Sequence, residues 1–308
     1  MIEYIDMYRD RFGVEPICRV LGSTAGGFIT ARGYRAAKAR LPASRTIRDQ
    51  VLVEQLIQIH KDNYSVYGVR KMHAAMGRAG WLIGRDQVAR LMRIGGLRGV
   101  TRSRRTFTTR TDLKLVQPAD LVNRRFKAQA PNQIWVGDIT YVPTWAGFAY
   151  VGFIIDVFSR RIVGWSVSSS LRTEASTLVA LEMAVWQART DLTGLICHSD
   201  HGSNYLSIKY TNRVIELGAK SSTGSVGDAY DNALAETVNG LYKTELIRRA
   251  GPWRTIEQVE LATLEWVWWF NNTRLHQHLG YRTPTETEQD YNEQQVSNWA
   301  ATATHEKQ

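Results

Sequence analysis

The chain has 308 residues, 44% hydrophobic and 22% charged, which is room for about two domains with separate cores. No run approaches the roughly 20 apolar residues of a membrane span. The start, Met1-Ile2-Glu3-Tyr4-Ile5-Asp6, is acidic and polar, unlike a secretory leader, and two cysteines, Cys18 and Cys197, are too few for a disulfide framework or a cysteine-based zinc site. A cytoplasmic protein is expected. Net charge is +10 and uneven: residues 1–130 hold 25 Lys+Arg against 10 Asp+Glu, and the remainder 14 against 19. A basic front and a mildly acidic back suit a polyanion-binding region joined to one that gathers carboxylates.

Residues 12–40 read as a possible first helix-turn-helix, within a helical segment 1–45, although their middle is irregular. From 46 to 100 the pattern is cleaner. "RDQVLVEQLIQIHKD" (48–62) places Val51, Leu52, Leu56 and Ile59 at helical spacing. "YGVRKMHAAMGRAG" (67–80) and "GRDQVARLMRIGGLRG" (84–99) follow as two helices joined by a turn containing Gly80 and Gly84. That is the order of a helix-turn-helix, whose second helix enters the major groove. Val88, Leu91 and Met92 are expected to face the core, and Arg85, Gln87, Arg90 and Arg93 the DNA. The competing reading is a small helical bundle with solvated arginines. Residues 101–130, poor in aliphatics and rich in basic residues, read as an extended linker in which Arg102, Arg104 and Arg105 would contact phosphate or simply stay solvated.

The remainder, 131–290, alternates and then turns helical. "NQIWVGDITYVPT" (132–144) puts Ile134, Val136, Asp138, Thr140 and Val142 on one strand face. A carboxylate there is costly unless it is paired or holds a cation. Strands at 148–158 and 161–169 complete a three-stranded meander; a helix (172–190), a strand (194–200) and a second helix (208–219) follow. Asp200 ends that strand just before Gly202, an arrangement equally typical of a plain turn. The helix 228–247, with Asp231 as a plausible N-cap, has Leu234, Val238 and Leu241 as its expected buried stripe. Glu236 points off that stripe and shares its face with Asn232, Asn239 and Lys243. "WVWWF" (266–270) is expected in the core, and residues 291–308 read as a polar tail.

Asp138 mid-strand, Asp200 at a strand end and Glu236 on a later helix, with 35 residues between Asp200 and Glu236, follow the order of an RNase H-like fold. With "PNQIWVGDITYVPTWAGFAYVGFIIDVFSRRIVGWSVS", "HSDHGSNY", "GDAYDNALAETVNGLYKTELI" and "FNNTRLHQHLGYRTPTE", the chain resembles OrfB-type transposases of insertion-sequence family three, within the Asp-Asp-Glu transposase and retroviral integrase superfamily. The resemblance covers roughly residues 12–286. It implies an α/β RNase H-like integrase catalytic core, a mixed five-stranded sheet flanked by helices, preceded by an all-α helix-turn-helix region. It makes Asp138, Asp200 and Glu236 catalytic and metal-binding, with two Mg²⁺ ions (Mn²⁺ as substitute), and Lys243 a contact to the transposon end. The implied reaction is cleavage and joining of insertion-sequence ends by phosphodiester hydrolysis and transesterification. Implied partners are double-stranded DNA at transposon ends and target, further copies of the chain on DNA, and an upstream-frame OrfA product, in the nucleoid of a bacterial cytoplasm.

Three rivals are open to the sequence. Asp156 also ends a strand, but lies before Ser159-Arg160-Arg161, where a turn or an arginine pair would use it. His198, His201, His276 and His278 lack standard zinc spacing. A DNA-binding regulator with an idle core, or a non-specific nuclease, would need the same fold.

Overall fold

The computed structural model describes residues 1–24, 29–101, 128–172, 175–199, 205, 207–223 and 233–305. Arg102, Arg104, Arg105, Asp200, His201 and the proposed N-cap Asp231 lie outside them. The chain divides into two compact units, Met1–Gln55 and Leu56–Gln308.

The first unit holds α1 (Ile2–Phe12), α2 (Val14–Gly22) and α3 (Ala31–Ala39). Its small core is Ile5, Ile17, Cys18 and Tyr34. The Tyr34 hydroxyl donates to Asp6 at 2.6 Å, and Thr30 caps α3 by accepting from Gly33 N. The next helix, α4 (Ser44–Asp62), spans the division. Leu52 and Leu56 are buried along it, as the spacing predicts, while Val51 is exposed.

In the second unit α5 (Val69–Arg78) and α6 (Arg85–Ile94) pack together across a turn in which Gly80 takes φ +85°, a conformation cheap only for glycine. Val88, Leu91 and Met92 are buried as expected. Arg85 and Arg93 are exposed, and Gln87 and Arg90 half-buried. The sheet is five-stranded, ordered β3-β2-β1-β4-β5: β1 (Ile134–Thr144), β2 (Gly147–Asp156), β3 (Ile162–Ser168), β4 (Ile196–Ser199) and β5 (Lys220–Thr223). The first three form the expected antiparallel meander, and β4 and β5 add in parallel. This is the mixed sheet of an RNase H-like core.

On one face lie α7 (Thr177–Ala188) and α8 (Ile208–Glu216), packed with Trp135, Ile154, Val163 and Cys197. Helix α7 approaches β3 so closely that a Cβ on Gly164 would meet the Ala180 carbonyl at 2.0 Å. On the other face lie α9 (Ala233–Tyr242), the π-helical turn Lys243–Ile247, the short α10 (Arg248–Ala250) and α11 (Ile256–Asn272). There Tyr242 meets Phe153 and Trp266 edge to face, and Phe153 and Trp266 are tilted to each other, with centroids 5.1–6.0 Å apart. Of the "WVWWF" run, Trp266, Val267, Trp269 and Phe270 are core residues and Trp268 is exposed. The last helix, α12 (Pro284–His305), includes residues that read from the sequence as a tail.

The helix-turn-helix pair is fastened to this layer by polar contacts. The Trp269 indole donates to Asn63 Oδ1 at 3.2 Å, Leu275 N donates to the Tyr67 hydroxyl at 2.8 Å, and Arg78 forms a forked pair with Glu286. Lys71, over the Tyr67 ring, comes with them. Burial, reinforced by Arg274 and opposed by Glu245, pulls its ammonium down to about 7. In the unfolded chain the group titrates at its ordinary 10.5. Keeping it charged in the fold is therefore penalised in full below about pH 7, and the penalty fades as pH rises toward 10.5. Lys71→Met should raise the melting temperature at pH 6 and change it little at pH 10; an equal gain at both would show that Lys71 is not held in this low-dielectric place.

Candidate active site

Among the described residues strand β4 pairs with β1 from Ile134↔Ile196 to Gly137↔Ser199. Asp138 is the next residue of β1. Tyr205 returns to the same place: a Cβ on Gly137 would stand 3.0 Å from its ring. Thus Ser199 and Tyr205, which flank residues 200–204 in sequence, both lie against the residue preceding Asp138. Glycine at 137 makes that double approach possible.

Asp138 is half-buried. Its Oδ1 accepts from Ile139 N at 2.8 Å, and its Oδ2 accepts from Asn239 Nδ2 at 2.8 Å. The Asn239 amide is buried, and among the described residues its Oδ1 has no hydrogen-bond partner. A buried amide oxygen left unmatched beside a carboxylate is expensive, and a hard cation or a water would satisfy it. Asn239 lies one turn after Glu236 on α9, and Lys243 one turn further.

The buried stripe of α9 differs from the sequence expectation. It consists of Ala235, Val238, Asn239 and Tyr242, while Leu234 and Leu241 are only half-buried. The cause is the aromatic layer: Tyr242 must reach Phe153 and Trp266, and its hydroxyl lies 2.6 Å from Thr263 Oγ1. This rotation moves Glu236 from the back of the helix to the flank of the buried stripe, on the side that carries Lys243. The helix 228–247 also changes pitch, passing into a π-helical turn at Lys243. The wide turn is pinned from behind by Glu245, which Arg274 grips with Nη2 at 2.6 Å and Nε at 3.0 Å; both are buried.

Lys243 Nζ stands 4.9 Å from the centroid of the Tyr141 ring. Burial lowers the affinity of this ammonium for its proton, the Asp138 carboxylate opposes that, and Arg248 adds to it. The influence of Asp138 places Lys243 in the electrostatic field of the site.

The rival residues have other tasks. Asp156 is fully buried and accepts from Asn132 N, Ser159 N and Ser159 Oγ at 2.8–2.9 Å, so it organises the β2–β3 turn. His198 Nδ1 is 2.9 Å from Ser222 Oγ, and His276 Nε2 is 3.2 Å from the Phe270 carbonyl. Burial pushes His276 well below its ordinary pKa, which keeps it neutral. Among the described residues, no group of three His, Cys, Asp or Glu side chains is placed to share a metal. The Asn239–Asp138 hydrogen bond is the contact that sequence reasoning did not single out; the three-residue spacing of Asn239 from Glu236 is the available signal.

This mixed sheet, with a half-buried carboxylate on β1 and a polar flank of α9 against it, has the architecture of an integrase-type core. The comparisons agree. Residues 128–229 and 217–284 match two families each described as Integrase core domain, and residues 46–105 match one described as HTH-like domain. A transposase for insertion sequence element IS629 from Shigella sonnei is 45% identical over 291 residues, 94% of this chain and 96% of that one. A Mycobacterium tuberculosis protein named for element IS986/IS6110 is 50% identical over 256 residues, 82% of this chain and 92% of its own. The catalytic core domain of HTLV-2 integrase superposes over 53% of this chain and 99% of its own at 18% identity, with a TM-score of 0.41. The chain belongs to the insertion-sequence transposases of family three.

If Asn239 holds Asp138, shortening it should destabilise the fold. In chelator, Asn239→Ala should cost about 1–3 kcal/mol in thermal or urea unfolding, the range for a lost hydrogen bond to a charged group. Asn239→Asp should cost more, because two carboxylates would then face each other at contact distance. Wild-type stability for the aspartate variant would mean that the contact does not form.

Proposed function

We propose that the chain cleaves insertion-sequence ends and joins them to target DNA, with Asp138, Asp200 and Glu236 as the metal-binding triad. The observation that carries the proposal is the junction at Asp138. Ser199 pairs beside it, Tyr205 returns to it, and Asp200 follows Ser199 directly in sequence. The helix rotation described above supports Glu236 as the third acid.

The donor set fits hard divalent cations, since it consists of carboxylate oxygens with the unmatched amide oxygen of Asn239 beside them. A pair of Mg²⁺ ions, or Mn²⁺ in their place, would supply activation of the attacking oxygen and neutralisation of the leaving one. The protein does the rest. Asn239 fixes the rotamer of Asp138, and the Gly137–Tyr205 contact keeps water from that side of the strand. Lys243, on the same helix flank, holds a phosphate of the transposon end. Water serves as nucleophile for hydrolysis and a DNA 3′-hydroxyl for strand transfer at the same site.

Arg85, Gln87, Arg90 and Arg93 on α6 contact the duplex, and Arg102, Arg104 and Arg105 its backbone. Bridging two ends with one target suits an oligomer on DNA, to which an upstream-frame product adds a further helix-turn-helix.

The test is cleavage and strand transfer on DNA carrying the element's own ends, with Mg²⁺, Mn²⁺ or chelator. Glu236→Gln and Asp200→Asn should abolish both reactions while end binding persists. Lys243→Ala should weaken end binding and reduce the slope of log affinity against log salt by about 1. Cutting at the wild-type rate by Glu236→Gln would refute the triad. Unchanged binding and joining by Lys243→Ala would remove only its DNA contact.

A further inference from the structure

Beyond Asp138, β1 pairs with β2 and ends in the hairpin between them. Three aromatic side chains stand out from this hairpin into solvent: Tyr141 at 48% exposure, Trp145 at 69% and Phe148 at 51%. Fully buried aromatics usually remove about 150–250 Å² each from water, so this region forfeits a large hydrophobic gain. The rings are nevertheless ordered. Phe148 meets Tyr141 edge-on, with centroids 5.6 Å apart and planes at 88°. Lys243 Nζ lies over the Tyr141 ring, and Arg254 Cζ lies 5.2 Å from the Trp145 centroid. The hairpin tip is also tied down: Trp145 N donates to the Trp253 carbonyl at 3.0 Å, and Thr144 Oγ1 donates to the Gly147 carbonyl at 2.8 Å.

We propose that Tyr141, Phe148 and Trp145, with Lys243 and Arg254, form a stacking site for unpaired DNA nucleotides next to the catalytic carboxylates. The proposal rests on the transposase reading above and extends it from phosphates to bases. Rings offer π-faces to bases, and the cations beside Tyr141 and Trp145 are placed for the phosphates that follow the bases. Paired bases inside a duplex hide their faces, so the match is to splayed or single-stranded nucleotides. Strand cleavage and joining produce these beside the reacting phosphate. A second protein chain fits less well, since the centres of protein interfaces are depleted in charge and here a cation accompanies two of the three rings. Tyr141 is three residues from Asp138, about 10 Å along an extended strand, or roughly two nucleotides from the cleavage point.

The experiment uses the full chain in chelator, so that no cleavage occurs. Fluorescence anisotropy compares a blunt duplex with the same duplex carrying an eight-nucleotide single-stranded extension. Trp145→Ala and Phe148→Ala, whose side chains are exposed, should each weaken binding of the extended DNA by about tenfold and leave the blunt duplex unchanged. Trp145→Phe should restore most of the loss. In the wild-type protein, 5-iodouracil in the extension should photocrosslink to the peptide containing residues 141–148. Equal affinity of both variants for the extended DNA, or crosslinks confined to other peptides, would overturn the proposal. So would a fall in oligomer mass by light scattering with DNA affinity intact, which would make the strip a protein interface. Because no metal is present, failure of the triad reading would leave this binding difference untouched.

Discussion

An ionisable carboxylate in the interior of a sheet must be met by donors or by a cation, and the second unit of this chain is arranged around that constraint. Asp138 follows directly on Gly137, the β1 residue registered with Ser199 of β4, and polar groups from outside the sheet meet it there. Helix α9 supplies Asn239 from above, and glycine at 137 admits Tyr205 from the other side. The carboxylate is thus met by a side chain of α9 and preceded by a strand position where a Cβ would stand 3.0 Å from the Tyr205 ring.

What holds α9 in place is mostly aromatic. Phe153, Tyr242, Trp266 and Phe270 form a continuous layer between sheet and α11, and it sets the rotation of α9 about its axis. Behind it the Glu245–Arg274 pair anchors the π-helical turn that follows. Two desolvated charges are tolerated there because the guanidinium makes a forked contact and stacks near Trp269 and Phe270. The same C-terminal stretch receives Tyr67 and Arg78 from the helix-turn-helix pair. A single structural layer therefore supports α9 on one side and carries α5 and α6 on the other.

Much of this could be read in advance. Period-two alternation marked β1, strand-like apolar runs marked β2 and β3, and helical spacing marked Val88, Leu91 and Met92 in α6. Asp138 was conspicuous because a carboxylate among Val136, Thr140 and Val142 breaks the pattern. Asp156 looked comparable at a strand end, and only its three donors from Asn132 and Ser159 reveal a turn residue. The exposed rings of Tyr141, Trp145 and Phe148 left no mark, since an aromatic residue in a strand reads as core whichever way it faces.

By itself the sequence determined the order of strands and helices, the family and the candidate acids, since these depend on local periodicity and on residue types at fixed spacings. The tertiary structure decided the rotation of α9, the Asn239–Asp138 contact, the π-helical turn at Lys243 and the aromatic strip beside it. Leu234, Val238 and Leu241 make as good an apolar stripe as Ala235, Val238 and Tyr242 when a helix is considered alone. The choice between them is made by Phe153 and Trp266, which come from distant parts of the chain and can favour one rotation only once the sheet and α11 have packed.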